Sequence, residues 1–383
     1  MNDYRLINRK NRKIQVIFRI LPGKCISTGA DNERDAIIFA ERYLLNYDGV
    51  RIEKVPTFKE FANGFYANDK YEYIKRIGKK KRYIKDVNWI NHEARIQNYW
   101  IPQFGRFLLS AVSSVAIDSW FMNLKHYKKL TPLADSTKNK ILNAGRAIFK
   151  EAVWRKIIKE NPINGIEKII EENKHREPLT DFELAKLFPK SEKELLKIWL
   201  DRKWLCYFLI MRDTGWRPGE VAGLARKNYY TNFGGVYTEQ SIDRRTGEVQ
   251  NRIKTTKKGI QYKIGYFSDV TISQLNKYLK EENLILNDLI FKTKKGKGIK
   301  PDASNNHFKA SCERAGIEIG NRTQYSFRHT FDTKMLQHLS LDEVNLLMGH
   351  IGYRGEYDHR TPTDILGQYA TLKSTVQKNY KIG

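Results

Sequence analysis

The chain has 383 residues, with 69 Lys or Arg against 43 Asp or Glu, a formal charge of +26. That length supports two or three domains with cores of their own. The three cysteines, Cys25, Cys206 and Cys312, are too few and too scattered for a disulfide framework or a zinc site, so a reduced, cytosolic chain without structural metal is expected. No apolar signal core opens the sequence and no run approaches the roughly 18 apolar residues of a membrane span; the excess positive charge instead calls for a polyanion, because self-repulsion disfavours a compact state.

In chain order, residues 1–50 read as a small sheet followed by a helix. Gln15-Val16-Ile17-Phe18-Arg19-Ile20 alternates as a strand does, Pro22-Gly23 turns, and a second strand runs toward Thr28. Asp31 or Asn32 then caps a helix whose Ala36, Phe39, Ala40, Tyr43 and Leu44 share one face. Arg9, Lys10, Arg12 and Lys13 fall on the outer face of that sheet.

Residues 56–165 read as helical, opening at Pro56-Thr57-Phe58, breaking at Ile101-Pro102 and resuming at Val115. A long helix is capped by Asp135-Ser136-Thr137 and ended by Asn161-Pro162. Basic residues here alternate with aromatics, as in Lys70-Tyr71-Glu72-Tyr73 and Lys79-Lys80-Lys81-Arg82-Tyr83, a pattern suited to gripping a phosphate backbone. A charged linker, 171–178, leads to the last segment, 177–383.

That segment mixes helices with a short sheet. Thr180 with Glu183 forms a capping box, a long apolar helix runs from Arg202 to Thr214-Gly215, and strand-like runs cover 236–242, 252–256 and 261–267, with turns at Arg245-Thr246-Gly247 and Lys257-Lys258-Gly259. Helices dominate afterwards, giving a mainly α fold with small β elements.

The chemistry gathers in this segment. Thr214-Gly215-Trp216-Arg217-Pro218-Gly219-Glu220 places an arginine between a chain reversal and a helix begun by proline, where its guanidinium and the helix-start amides can address one phosphate and Glu220 can orient it. Tyr325-Ser326-Phe327-Arg328-His329-Thr330 lies on a second helix, with His329 turned about 100° from Arg328. Leu347-Met348-Gly349-His350 ends a third, begun by the capping box of Ser340 and Glu343.

This ordered set resembles the tyrosine recombinases, the phage integrase family, and the resemblance covers essentially the whole chain. It implies an arm-type DNA-binding domain at 1–50, a helical core-binding domain at 56–165 and a mixed α/β catalytic domain at 177–383. It further implies a site-specific recombinase that cleaves and rejoins double-stranded DNA through a 3′-phosphotyrosine link, as a tetramer on paired sites, with no metal or cofactor. Arg217 and Arg328 would clamp the scissile phosphate, each worth about 3 kcal/mol by analogy with a single transition-state donor. Lys254 would be the general acid, with Lys257 and Lys258 as competitors, and His350 would donate to the phosphate or orient the nucleophile.

Two positions depart from the family pattern. Tyr325 stands where a histidine is usual; it can hydrogen-bond the phosphate or nucleophile but is no base near neutrality. Tyr353, Tyr357 and Tyr369 lie three, seven and nineteen residues beyond His350. Tyr357 is the favoured nucleophile, reached through a loop loosened by Gly352 and Gly355, and Tyr369 the alternative. Residues after about 370 are candidates to dock on a neighbouring protomer. A non-catalytic DNA-binding regulator and a tyrosine-type topoisomerase are the competing readings.

Overall fold

The structure, a computed structural model, describes residues 4–9, 12–18, 25–45, 55–66, 86–171, 177–251, 262–349, 364, 366–367 and 370–380. The chain divides into two compact units, Met1–Asn173 and Lys174–Gly383.

The first unit holds two separate apolar clusters. The smaller is a three-stranded antiparallel sheet of β1 (Tyr4–Ile7), β2 (Gln15–Phe18) and β3 (Cys25–Ser27), with β2 central. Alternation along β2 sends Val16 and Phe18 inward against Ala40 of the helix Glu33–Leu45, and Phe18 stacks on Tyr43 at 4.4 Å. Asn32 caps that helix, its Oδ1 accepting the Asp35 N–H at 2.9 Å. Arg9, Arg12 and Lys13 are exposed, and Lys13 pairs with Asp31. β1 has no counterpart in the sequence reading, being short and followed directly by charged residues. The Pro22-Gly23 turn, Lys10 and the basic stretch 70–83 lie outside the described residues.

The larger cluster is helical and built on aromatic rings. Trp100 is fully buried, close to Trp120 (4.6 Å), Phe104 (5.5 Å) and Phe58 (5.6 Å), and its Nε1–H donates to the Ile141 carbonyl at 2.9 Å. Gly145 makes this possible, since a Cβ there would overlap the Trp100 ring.

Two helix boundaries differ from expectation. The chain does not break at Ile101-Pro102: the helix Asp86–Arg95 continues through a π-helical turn, Ile96–Trp100, into Ile101–Phe104. The Ile101 N–H reaches back five residues to the Ile96 carbonyl, and this widened turn accommodates a proline that has no N–H to offer. The long helix, Asp135–Trp154, ends well before Asn161-Pro162. Lys156 adopts a left-handed φ of 58°, the Lys156 N–H bonds the Val153 carbonyl and the Ile157 N–H that of Ala152, which is a Schellman stop made without glycine. Asp135 sits in the first turn of that helix without making a side-chain cap bond.

The second unit is organised around the helix Arg202–Thr214, buried from Leu205 to Thr214. Trp199, Phe208, Phe308 and Phe327 pack about it. Gly215 stops the helix in a left-handed conformation, φ 60°. Beside it lies an antiparallel sheet, β4 (Tyr229–Tyr230), β5 (Gly235–Thr238) and β8 (Lys263–Tyr266), in the order β4-β5-β8, with Thr238 opposite Lys263. The expected 236–242 strand is interrupted, and Ser241–Ile242 (β6) instead pairs with Val249–Gln250 (β7) around the Arg245-Thr246-Gly247 turn. The fold is thus mainly α with small β elements. The C-terminal helix Ala370–Asn379, read from sequence as a candidate to dock on a neighbour, packs on its own unit, burying Leu372, Val376 and Tyr380.

Candidate active site

The Arg217 loop is fixed on both sides. Before it, Trp216 is fully buried and its Nε1–H donates to the Leu347 carbonyl at 3.1 Å. After it, Pro218 begins the single-turn helix Pro218–Ala222, for which Arg217 is the N-cap residue. Glu220 turns its carboxylate back onto this cap: Oε2 accepts the Arg217 backbone N–H at 2.9 Å and Oε1 accepts Arg217 Nη1–H at 3.1 Å. Glu220 therefore orients Arg217. It also occupies the cap amide that the sequence reading had offered to a phosphate, so that part of the expectation is corrected.

Arg328 projects from the helix Ser326–Met335 and is 8% exposed. Its Nη1–H donates to the Gly215 carbonyl at 2.8 Å and its Nη2–H to the Met348 carbonyl at 3.3 Å. One side chain thus joins the loop carrying Arg217 to the end of the helix Leu341–Met348, immediately before Gly349 and His350. The two arginines sense each other. Burial first, and then the Arg217 charge, push the Arg328 guanidinium down to about 10.

A fourth group completes the cluster, and no motif announced it. Lys263, the first residue of β8, has a fully buried side chain whose Nζ–H donates to Glu220 Oε2 at 2.7 Å. A lone lysine on a short strand ordinarily reads as part of a solvated face, so its composition gave no signal. Burial pushes the Glu220 carboxyl up, but Lys263 and Arg217 outweigh it and hold it below the ordinary carboxylate range.

Tyr325 precedes the Arg328 helix and is half-buried. His329 is exposed while Arg328 beside it is buried. Thr330 turns inward, its Oγ1 accepting the Leu179 N–H at 2.7 Å, which anchors the start of the unit to this helix. Lys254, Lys257, Lys258, His350, Tyr353, Tyr357 and Tyr369 all lie outside the described residues. Among the described residues no group of His, Cys, Asp or Glu is arranged to hold a metal ion, and no helix is long and apolar enough to cross a membrane.

In the described part of the site the Glu220 carboxylate thus bonds the Arg217 guanidinium and the Lys263 ammonium, with the Arg328 guanidinium close enough to feel the charges of Arg217 and Glu220. Guanidinium forks suit the nonbridging oxygens of a phosphodiester, which lysine alone binds only as a point charge.

Residues 177–354 match the phage integrase family model. A sequence comparison with curated proteins gives no match. Among solved structures, the chain is similar to the Tn1549 transposon integrase in complex with a circular intermediate DNA, at 16% identity and a TM-score of 0.57, over 80% of this chain and 94% of that one. It is also similar to a lambda integrase in a tetramer bound to a Holliday junction, at 16% identity and a TM-score of 0.53, over 93% of this chain and 97% of that one. At such identities the structural likeness speaks for the fold, and the family match spans 177–354 of the second unit. The segment that carries both Arg217 and Arg328 is the one that matches the phage integrase family.

Proposed function

We propose that the chain is a site-specific DNA recombinase that cleaves and rejoins strands through a 3′-phosphotyrosine intermediate, integrating or excising a phage or other mobile element. The observation that carries this reading is the nearness of Arg217 and Arg328, far apart in sequence: Arg328 bonds the carbonyl of Gly215, two residues before Arg217, and feels the Arg217 charge. In the cleavage step a tyrosine oxygen attacks phosphorus while the bond to the 5′ oxygen breaks. The phenol gives up its proton, and the departing 5′ oxygen takes one up. Arg217 and Arg328 stabilise the charge on the nonbridging oxygens, and Tyr325 donates a hydrogen bond to the phosphate or the nucleophile. Lys254 supplies the proton, His350 assists at the phosphate, and Tyr357 is the nucleophile ahead of Tyr369. The ester conserves the phosphodiester energy, so rejoining needs no nucleotide and the arginines take the place of a metal.

In the same reading residues 1–50 bind arm-type sites, 56–165 embrace the core site and 177–383 catalyse. Several protomers, most simply four, assemble on paired duplexes, in the bacterial cytoplasm at the nucleoid. A pool of duplexes with a randomised segment and a nick tests this reading. The wild-type chain is expected to become covalently trapped on a defined subset, with the adduct mapping to Tyr357. Tyr357→Phe should bind but form no adduct, and Arg217→Ala should slow attachment by about 10² to 10³-fold with a small change in affinity, since many other cations hold the duplex. Trapping without sequence choice would indicate a topoisomerase, binding without trapping a regulator, and an adduct on Tyr369 would move the nucleophile.

A further inference from the structure

Lysine is almost never fully buried unless paired, yet the Lys263 side chain has no exposure, and it opens a strand in which every residue is buried. Its stem runs beneath Gly349. That glycine has a φ of 64°, and a Cβ on it would overlap Lys263 Cε. The glycine before His350 therefore serves two ends, stopping its helix and leaving room for the lysine. At the far end of the stem, Glu220 Oε2 accepts both Lys263 Nζ–H and the Arg217 backbone N–H, while Oε1 takes the Arg217 guanidinium.

The charge arithmetic of this arrangement matters for an anion. Arg217 with Glu220 alone would form a neutral pair, and the carboxylate would oppose an incoming phosphate as strongly as the guanidinium attracted it. Adding Lys263 leaves the trio with one net positive charge and gives the carboxylate a second anchor, so that Arg217 is held by Glu220 without being cancelled by it. Charges count for more in such a poorly solvated pocket than in water.

We propose that Lys263 is a positioning residue of the cleavage site: it fixes Glu220, through which Arg217 is aimed, and offsets the Glu220 charge that would otherwise oppose the scissile phosphate. It touches no reacting atom. The inference rests on the recombinase reading and deepens it.

The ionisation of Lys263 offers a handle. Burial pushes its ammonium down to about 8; Glu220 opposes the shift, while Arg217 and Arg328, the other charged groups acting on it among the described residues, add to it. Below that value Lys263 is charged and the trio carries its positive charge. As pH rises through it the proton is lost, the trio becomes neutral and attachment should slow.

The full-length chain is assayed on a nicked duplex recovered as above, at subsaturating DNA so that the ionisations of the unbound protein are read. Wild-type attachment should decline along an alkaline limb centred near pH 8. Lys263→Met should be slower at pH 7 by about 100-fold, a size typical of a misplaced reacting group, with unchanged DNA affinity and no such limb. Loss of packing alone would lower the rate and leave the limb in place. The double variant Lys263→Met with Glu220→Gln removes the ammonium and its carboxylate partner together and guards against a folding failure of the single one, in which Glu220 loses a partner; it too should lack the limb. A flat wild-type profile, a Lys263→Met variant with wild-type rate, or a limb that persists in either variant overturns the proposal. A wild-type chain that forms no adduct on any duplex removes the recombinase reading itself, and the role of Lys263 with it.

Discussion

Among its described residues the second unit buries two groups of charges, and they are opposites in design. Arg212 and Asp213 lie in the core: Asp213 accepts from Arg212 Nε–H at 2.8 Å, from the Ser268 N–H and Oγ–H at 2.7 Å each, and from Thr271 Oγ1–H at 2.6 Å, while Arg212 rests against the Phe188 and Tyr380 rings. One cation faces one anion and every direction is occupied. Around Arg217, the carboxylate of Glu220 bonds both Arg217 and Lys263 and also acts on the buried Arg328, and the Arg217 side chain keeps 21% of its surface open. Burial of charge is therefore no mark of a functional site. Buried cations held close to a partly exposed arginine are such a mark, because an incoming anion finds positive charge already fixed in place.

The contrast can be broken most forcefully at Asp213. Asp213→Ala strands Arg212 in the core and should cost about 3 to 5 kcal/mol of stability, read by thermal or denaturant unfolding. The attachment rate per folded molecule should stay unchanged at a temperature where the variant is folded. Arg217→Ala should do the reverse, and a variant of either residue that loses both properties together would erase the distinction.

The first unit sharpens the comparison, since among its described residues only Glu151 is a buried charge, beside Arg155 at 3.1 Å. Its cohesion is a matter of shape. Gly145→Ala should destabilise the chain by about 1 to 3 kcal/mol through overpacking against Trp100, detected as a lower Tm, with DNA affinity falling only where the unit melts.

The smallest expected effect concerns His92. Burial first, and the nearby Arg95 charge second, lower its imidazole from 6.5 to about 4, and its ring stacks on Tyr66 at 5.0 Å. The folded chain keeps it neutral while the unfolded chain takes up a proton, so its contribution is present above about pH 6.5 and is lost as pH falls toward 4. His92→Leu should flatten the decline of Tm over that interval, and an unchanged slope would mean that the imidazole is not sheltered.

How much of this was legible in the sequence depends on the kind of signal. Arg217 and Arg328 were readable because their neighbours, a glycine stop, a helix-opening proline and a helix of fixed phase, carry strong local preferences. Glu220 followed from its spacing, and the helical phase that turns His329 away from Arg328 agrees with the exposure of one beside the burial of the other. Lys263 was not readable, because its burial depends on Gly349 and Glu220, which only the folded chain brings near. The helix ends failed for a related reason: Pro102 is tolerated by a π-helical turn and Lys156 does the work of a glycine, both settled by packing rather than by local preference.

The bonds of Arg328 to the carbonyls of Gly215 and Met348 have a consequence for safety. A recombinase of the proposed kind would be hazardous when half made. The guanidinium proposed to grip the DNA also clasps two distant stretches of backbone. A polypeptide truncated before Met348, or melted there, cannot complete that clasp and would lack a formed phosphate site.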